Sequence, residues 1–189
     1  MDHTIKYFGL NNLALDTDLA RVERELKIEL RSREHPEGSD DYYPQVPAQI
    51  RREAAAMAEH YELFYCLEVS IRDLIRSTLM EAEPVEWWTK LVPQFVRENA
   101  EKNQTREVQA GVTPRSTDML SYTNFGELNE IIKINSKLFG ETFTDPKAVE
   151  VTLSRLNTLR APIAHCSQLA EDEVVRLRLS LRDWFRLME

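Results

Sequence analysis

The 189-residue chain predicts an all-α fold, and three observations predict it. Apolar residues recur every three or four positions through several long stretches, the period of a helix that faces a core. Cap and breaker residues bound those stretches. No segment alternates apolar and polar residues with the period of two that a half-buried strand requires. With 42% hydrophobic residues the length suits one well-filled core and is short for two. The expectation is one helical domain over residues 46–189 behind an N-terminal helical extension and loop over residues 1–45.

Each element has its own signal. Leu13, Leu15, Leu19, Val22, Leu26 and Leu30 predict a first helix that lies on the domain or on a partner subunit. Ser32 to Gln45, with His35-Pro36-Glu37-Gly38 and Asp40-Asp41-Tyr42-Tyr43-Pro44, is a loop by composition. A long helix begins near Pro47, and Met57, Tyr61, Phe64, Ile71, Leu74, Ile75 and Leu79 mark its buried face. Trp87 and Trp88 open a further helical stretch after Pro84, broken or kinked at Pro93, and read as core. Asn99 to Met119 is polar, with Gly111 and Pro114, and predicts a mobile connector. Asn124-Phe125-Gly126-Glu127 is a cap-x-x-Glu helix start, and Leu128, Ile131, Ile132 and Leu138 carry that helix to Gly140. Thr144-Asp145-Pro146 starts the next one, whose face is Val149, Leu153, Leu156, Arg160 and Ile163, and Pro162 should distort or end it just past Arg160. Val174, Leu177, Leu181, Trp184, Phe185 and Met188 form a last amphipathic face able to pack against it.

Two charged residues stand where apolar ones belong. Arg160 falls on the apolar face of its helix, and a guanidinium turned toward a core costs several kcal/mol unless it has a carboxylate, a ligand or water. Glu68 falls in the middle of the long helix's buried face and supplies such a carboxylate, with Arg72 one turn later in the favourable orientation for an intrahelical pair. An exposed pair of that kind contributes only about 0.2–0.5 kcal/mol, too little to account for burial. A small network in which Glu68 holds Arg72, Arg160 or both is the better account, either as a structural lock or as the support of an anion site. In Arg160-Ala161-Pro162-Ile163-Ala164-His165 a permanent cation precedes an imidazole that titrates near neutrality by about one helical turn. That pairing suits phosphodiester chemistry, although the bare spacing is common.

Composition limits the setting. The formal net charge of −8 argues against a broad basic surface for non-specific nucleic-acid binding. The charge is uneven: residues 1–45 hold six Lys/Arg against ten Asp/Glu, whereas residues 151–189 hold six Arg and five Asp/Glu, which allows a local anion site. Cys66 and Cys166 fit a reducing compartment, and neither belongs to a CxxC pair, so no metal or other cofactor is expected. No apolar run approaches a membrane span, and the start Met1-Asp2-His3 is unlike a signal peptide, so the expected location is the cytoplasm.

The run from Tyr61 to Arg72, then Trp87-Trp88, Tyr122 to Leu128, and Leu156-Asn157 through Arg160 to His165, together resemble the HEPN superfamily, and within it the Swt-one-like HEPN domains. The resemblance covers roughly residues 45–188. It implies a bundle of four or five helices that forms a homodimer, with the Arg-x4-His runs of two subunits meeting in one cleft. Many relatives are metal-independent ribonucleases of toxin–antitoxin, anti-phage and RNA-processing systems; others keep the fold as a non-catalytic module for RNA, nucleotides or partners. Carried over, Arg160 and His165 match the catalytic motif, and Glu68, Arg72 and Asn157 match its supporting polar positions. RNA is thus the implied substrate, and an antitoxin or other protein the implied partner. Two positions depart from the pattern: Ala161 follows the motif Arg where Asn, Asp or His is frequent, and Ser167 stands where some relatives carry a Tyr modified by a nucleotidyltransferase.

Overall fold

The computed structural model describes residues 18, 19, 21, 22 and 46–188. The helix expected over Leu13–Leu30, apart from those four helical residues, and the loop over Ser32–Gln45 lie outside the described residues. Among the described residues the chain is all-helical, with no strand. In chain order the elements are α1 (Ala48–Ala82), α2 (Trp87–Leu91), α3 (Gln94–Gln109), a 3-10 turn (Met119–Tyr122), α4 (Phe125–Ile134), a second 3-10 turn (Ser136–Phe139), α5 (Pro146–Ala164) and α6 (Glu171–Arg186). The five helices longer than α2 make up the expected bundle. No helix is long and apolar enough to cross a membrane among these residues.

At 35 residues, α1 is roughly 50 Å long and forms the spine. Its buried positions are Leu63, Phe64, Leu67, Ile71, Leu74, Ile75 and Leu79, which meet Val149, Leu153 and Leu156 of α5, Leu128 and Ile131 of α4, and Leu181 and Trp184 of α6 in one core. Met57 is half-buried and Tyr61 is 63% exposed, so the fully buried face begins at Leu63 and not at Met57 as the apolar pattern implies. Leu63 and Phe64 at the same level are buried, and Tyr61 instead shares a side of α1 with Tyr65, which is also exposed.

Helices α4 and α5 run antiparallel, as their paired side chains record. Gly126 faces Asn157, Asn129 reaches Ser154 at 3.4 Å, and Lys133 pairs with Glu150 at 2.6 Å, so one partner number falls by a turn as the other rises by one. A Cβ at Gly126 would lie 3.4 Å from the Asn157 amide, which makes this the close approach of the two helices. The start of α4 is the reciprocal box read from the sequence: Asn124 accepts from the Glu127 amide at 3.0 Å, and Glu127 accepts from the Asn124 amide at 2.8 Å. Its end differs from expectation. The helix stops at Ile134, where the Asn135 side chain donates to the carbonyls of Ile131 and Leu91 at 2.9 Å each, and Phe139 rather than Leu138 turns into the core. Asp145 caps α5 by accepting from Lys147 and Ala148 amides, with Pro146 in the first turn. Beyond the bundle, Asp18 pairs with Arg178 and Arg182 of α6 at 3.3 and 3.4 Å.

The connector expected over Asn99–Met119 is replaced in its first half by α3, which runs to Gln109 and ends before Gly111 at φ +70°. Two of its polar residues reach the segment that follows: Asn99 donates to the Glu127 carboxylate at 3.0 Å and Asn103 to the Tyr122 carbonyl at 3.0 Å. The segment that follows is tied down as well, since the Tyr122 hydroxyl donates to the Ser116 carbonyl and Asp118 pairs with Arg76. Burial would lower the Arg76 guanidinium pKa, but hydrogen bonds and charge from Asp118 and Asp73 raise it further than burial lowers it. Trp87 and Trp88 are half-buried at the rim of the core, edge to face at 5.7 Å, rather than inside it.

Removing half of the α4 box should register in stability. Asn124→Ala is expected to cost about 1 kcal/mol in urea melts, without loss of helix content at 25 °C, because the Glu127 amide at a part-buried helix end loses its acceptor.

Candidate active site

Glu68 sits on α1 with its side chain 13% exposed, and its two oxygens serve two guanidinium groups. Oε1 accepts from Arg72, one turn along the same helix; Oε2 accepts from Arg160 Nε at 3.0 Å across the packing of α1 on α5. The pairing inferred from helical phase is therefore present with both partners. Arg72 is occupied further: Nε donates to the Leu120 carbonyl and Nη2 to the Thr123 carbonyl, each at 3.0 Å. Those carbonyls belong to the first 3-10 turn and to the residue that caps it. Arg72 thus fastens the loop to α1 and has little left to offer a phosphate.

Arg160 is placed differently. Its side chain is 33% exposed, its guanidinium is held along the Nε edge, and no protein partner engages its Nη amines among the described residues. A guanidinium fixed on one edge and open on the other is pre-organised to hold an anion with two parallel donors. Asn157 lies one turn before it on α5, exposed and against Gly126, and it joins none of these ion pairs.

His165 is the C-cap of α5 and is exposed, with no side-chain partner among the described residues. Pro162, expected to distort or end α5 just past Arg160, lies inside the helix, which continues to Ala164 with His165 on the turn after it. Pro162 removes one bond to the Thr158 carbonyl, but Thr158 is an exposed residue and only the last turn follows. That turn closes by a Schellman arrangement: the Cys166 amide donates to the Ile163 carbonyl at 3.2 Å and the Ser167 amide to the Pro162 carbonyl at 2.8 Å. The position that usually holds glycine is Cys166, at φ +56°. The helix end thereby fixes the backbone of His165 five residues beyond the anchored Arg160. Ala161 and Ala164 beside them are exposed and small, leaving room for a ligand.

Arg115 was not singled out from the sequence, and it adds positive charge nearby. It leaves the polar connector, lies over the Tyr122 ring at 5.3 Å and pairs with Glu107. Its pKa is raised first by the Glu107 hydrogen bond, and also by the charges of Glu107, Tyr122 and Glu68, although burial works against it. The signal available was a lone Arg in a Gly/Pro/Thr-rich segment, which carries no direction. Cys66 is no activated nucleophile: burial pushes its thiol up, and Glu62 adds to the shift. Among the described residues no three His, Cys, Asp or Glu side chains converge as a metal cage.

The family model described as Swt1-like HEPN matches residues 62–189, a span that includes Glu68, Arg72, Arg160 and His165. No curated protein and no solved structure matches the chain.

Two substitutions separate the parts of this site. Glu68→Gln keeps the volume but leaves two guanidinium groups without their charge partner, and denaturant melts should show a loss of about 1–3 kcal/mol, between the values for exposed and buried pairs. Cys166→Gly relieves the left-handed backbone and should raise stability by up to about 1 kcal/mol in the same melts.

Proposed function

The chain belongs to the Swt1-like HEPN family, and on that premise we propose that it is a metal-independent endoribonuclease whose reacting groups are Arg160 and His165. The observation that carries this reading is the one-edged grip on Arg160: Glu68 orients the guanidinium through Nε while leaving the Nη amines open, one turn from an exposed imidazole. Glu68 thereby supplies the orientation that a polar residue in place of Ala161 would give.

The chemistry follows from those groups. Attack of a ribose 2′-oxygen on the adjacent phosphorus forms one P–O bond as the bond to the 5′-oxygen breaks, leaving a 2′,3′-cyclic phosphate and a 5′-hydroxyl. Negative charge grows on the non-bridging oxygens, where Arg160 donates. His165 takes the proton from the 2′-hydroxyl or returns one to the 5′-oxygen, and general acid–base assistance of this kind contributes about 10²–10⁴ in rate. Because the nucleophile belongs to the substrate, the step requires only proton transfer and charge stabilisation.

One imidazole does not serve both roles at once, so the reading includes a two-fold homodimer in which two copies of the α5 end share one cleft. An isologous contact brings the same patch together from each copy. A defence or toxin role with a protein antitoxin, acting in the cytoplasm, fits such an activity. The alternative is a non-catalytic module for RNA, nucleotides or a partner, which Ala161 and the net charge of −8 favour.

Single-turnover cleavage of RNA in EDTA is the test. Wild type should cleave and leave cyclic phosphate ends, whereas His165→Ala should lose about 10²-fold or more in rate while its stability stays within about 0.5 kcal/mol, as befits an exposed cap. Equal cleavage by the two proteins, a requirement for Mg²⁺, or a strict monomer by light scattering at tens of micromolar would overturn this reading.

A further inference from the structure

Four residues of α1 share one line along the helix: Tyr61, Tyr65, Glu68 and Arg72 recur at intervals of four, three and four, which keeps them on one side. The C-terminal half of that line is the ion network that holds Arg160. The N-terminal half is aromatic and open. Tyr61 is 63% exposed and Tyr65 is 60% exposed, with ring centroids 6.3 Å apart and planes tilted by 38°. Neither tyrosine makes a hydrogen bond or ion pair among the described residues; the ring contact they make is with each other. Two large rings left in water are costly unless something covers them.

We infer that Tyr61 and Tyr65 form a nucleobase-stacking subsite beside the phosphate position at Arg160. The inference rests on the ribonuclease reading and names the part of the substrate that the acid–base groups leave unaddressed. Tyr65 lies one turn before Glu68, and Glu68 fixes Arg160, so a nucleotide whose phosphate meets the open guanidinium edge has its base within reach of the ring. Charge favours this occupant over an apolar protein face: the line leads into Arg72 and Arg160, with Arg115 close enough for Glu68 to act on it. The tilted pair differs from Trp87 and Trp88, which meet edge to face and pack against the core. Flat rings accept any base by its π-face, so the subsite selects unstacked, single-stranded segments and not a particular sequence.

The test measures binding of a short single-stranded RNA carrying 2′-O-methyl groups, which cannot be cleaved, beside the same strand with one abasic position. Fluorescence anisotropy would be run on wild type, Tyr65→Ala, Tyr61→Ala/Tyr65→Ala and Tyr65→Trp, with light scattering on each. The expected result is that alanine weakens binding about tenfold or more, that tryptophan preserves it, and that the abasic strand binds wild type and the double variant alike. Unchanged affinity in the double variant, with wild type binding well, overturns the subsite and leaves the ribonuclease reading standing. Loss of dimer mass with unchanged RNA affinity assigns the rings to a subunit contact and overturns it too. Failure of wild type to bind or cleave any RNA overturns both together.

Discussion

A single carboxylate, Glu68, divides its oxygens between Arg72 on its own helix and Arg160 on α5. The geometry around it depends on that division. Were Glu68 to bind Arg72 alone, Arg160 would be a part-buried cation with nothing to orient it, and its side-chain entropy of about 2 kcal/mol would be lost only when a ligand arrived. Because the carboxylate gives its second oxygen to Nε, that ordering is already done on one edge, and the Nη edge stays open among the described residues. The pair is therefore both a register lock between α1 and α5 and a means of presenting the Nη amines.

The loop between α3 and α4 completes the support. Arg72 and Arg76 from α1, and Asn99 and Asn103 from α3, all donate to residues 118–127. A part-buried loop must satisfy its backbone carbonyls, and here Arg72 and Asn103 do so, while Arg76 and Asn99 meet the carboxylates of Asp118 and Glu127. This is why a segment with connector-like composition is ordered: the polarity that marks it as solvent-facing in sequence is matched by donors reaching it from elsewhere. Glu127 joins the two levels, since it closes the α4 capping box with one oxygen and receives Asn99 with the other.

At the other end of the site, a strained turn positions the imidazole. Helix α5 tolerates Pro162 because the carbonyl it deprives belongs to an exposed residue and one turn remains. Cys166 then adopts a backbone that glycine would adopt without penalty. Strain of this kind persists only where surrounding hydrogen bonds hold it, and the Ile163 and Pro162 carbonyls provide them.

The amino-acid sequence by itself determined the helices whose signals are local. The Asn124–Glu127 box, the Asp145-Pro146 start and the amphipathic face of α6 depend only on neighbours within one or two turns. The presence of Glu68 and Arg160 on apolar faces likewise marked them as needing partners, since an unpaired charge against a core is costly wherever it sits. The helix of polar residues over α3, the halt of α4 at Ile134 and the exposure of Tyr61 were decided by tertiary structure. Each depends on its surroundings in space: the Glu127 carboxylate for Asn99, the Tyr122 carbonyl for Asn103, the Leu91 carbonyl for Asn135, and for Tyr61 the side of α1 that it shares with exposed Tyr65. Only the packing of α1 on α5 could decide which edge of Arg160 is bound and which is open, because the two groups lie 92 residues apart and a guanidinium presents both edges equally until a carboxylate is brought to one of them.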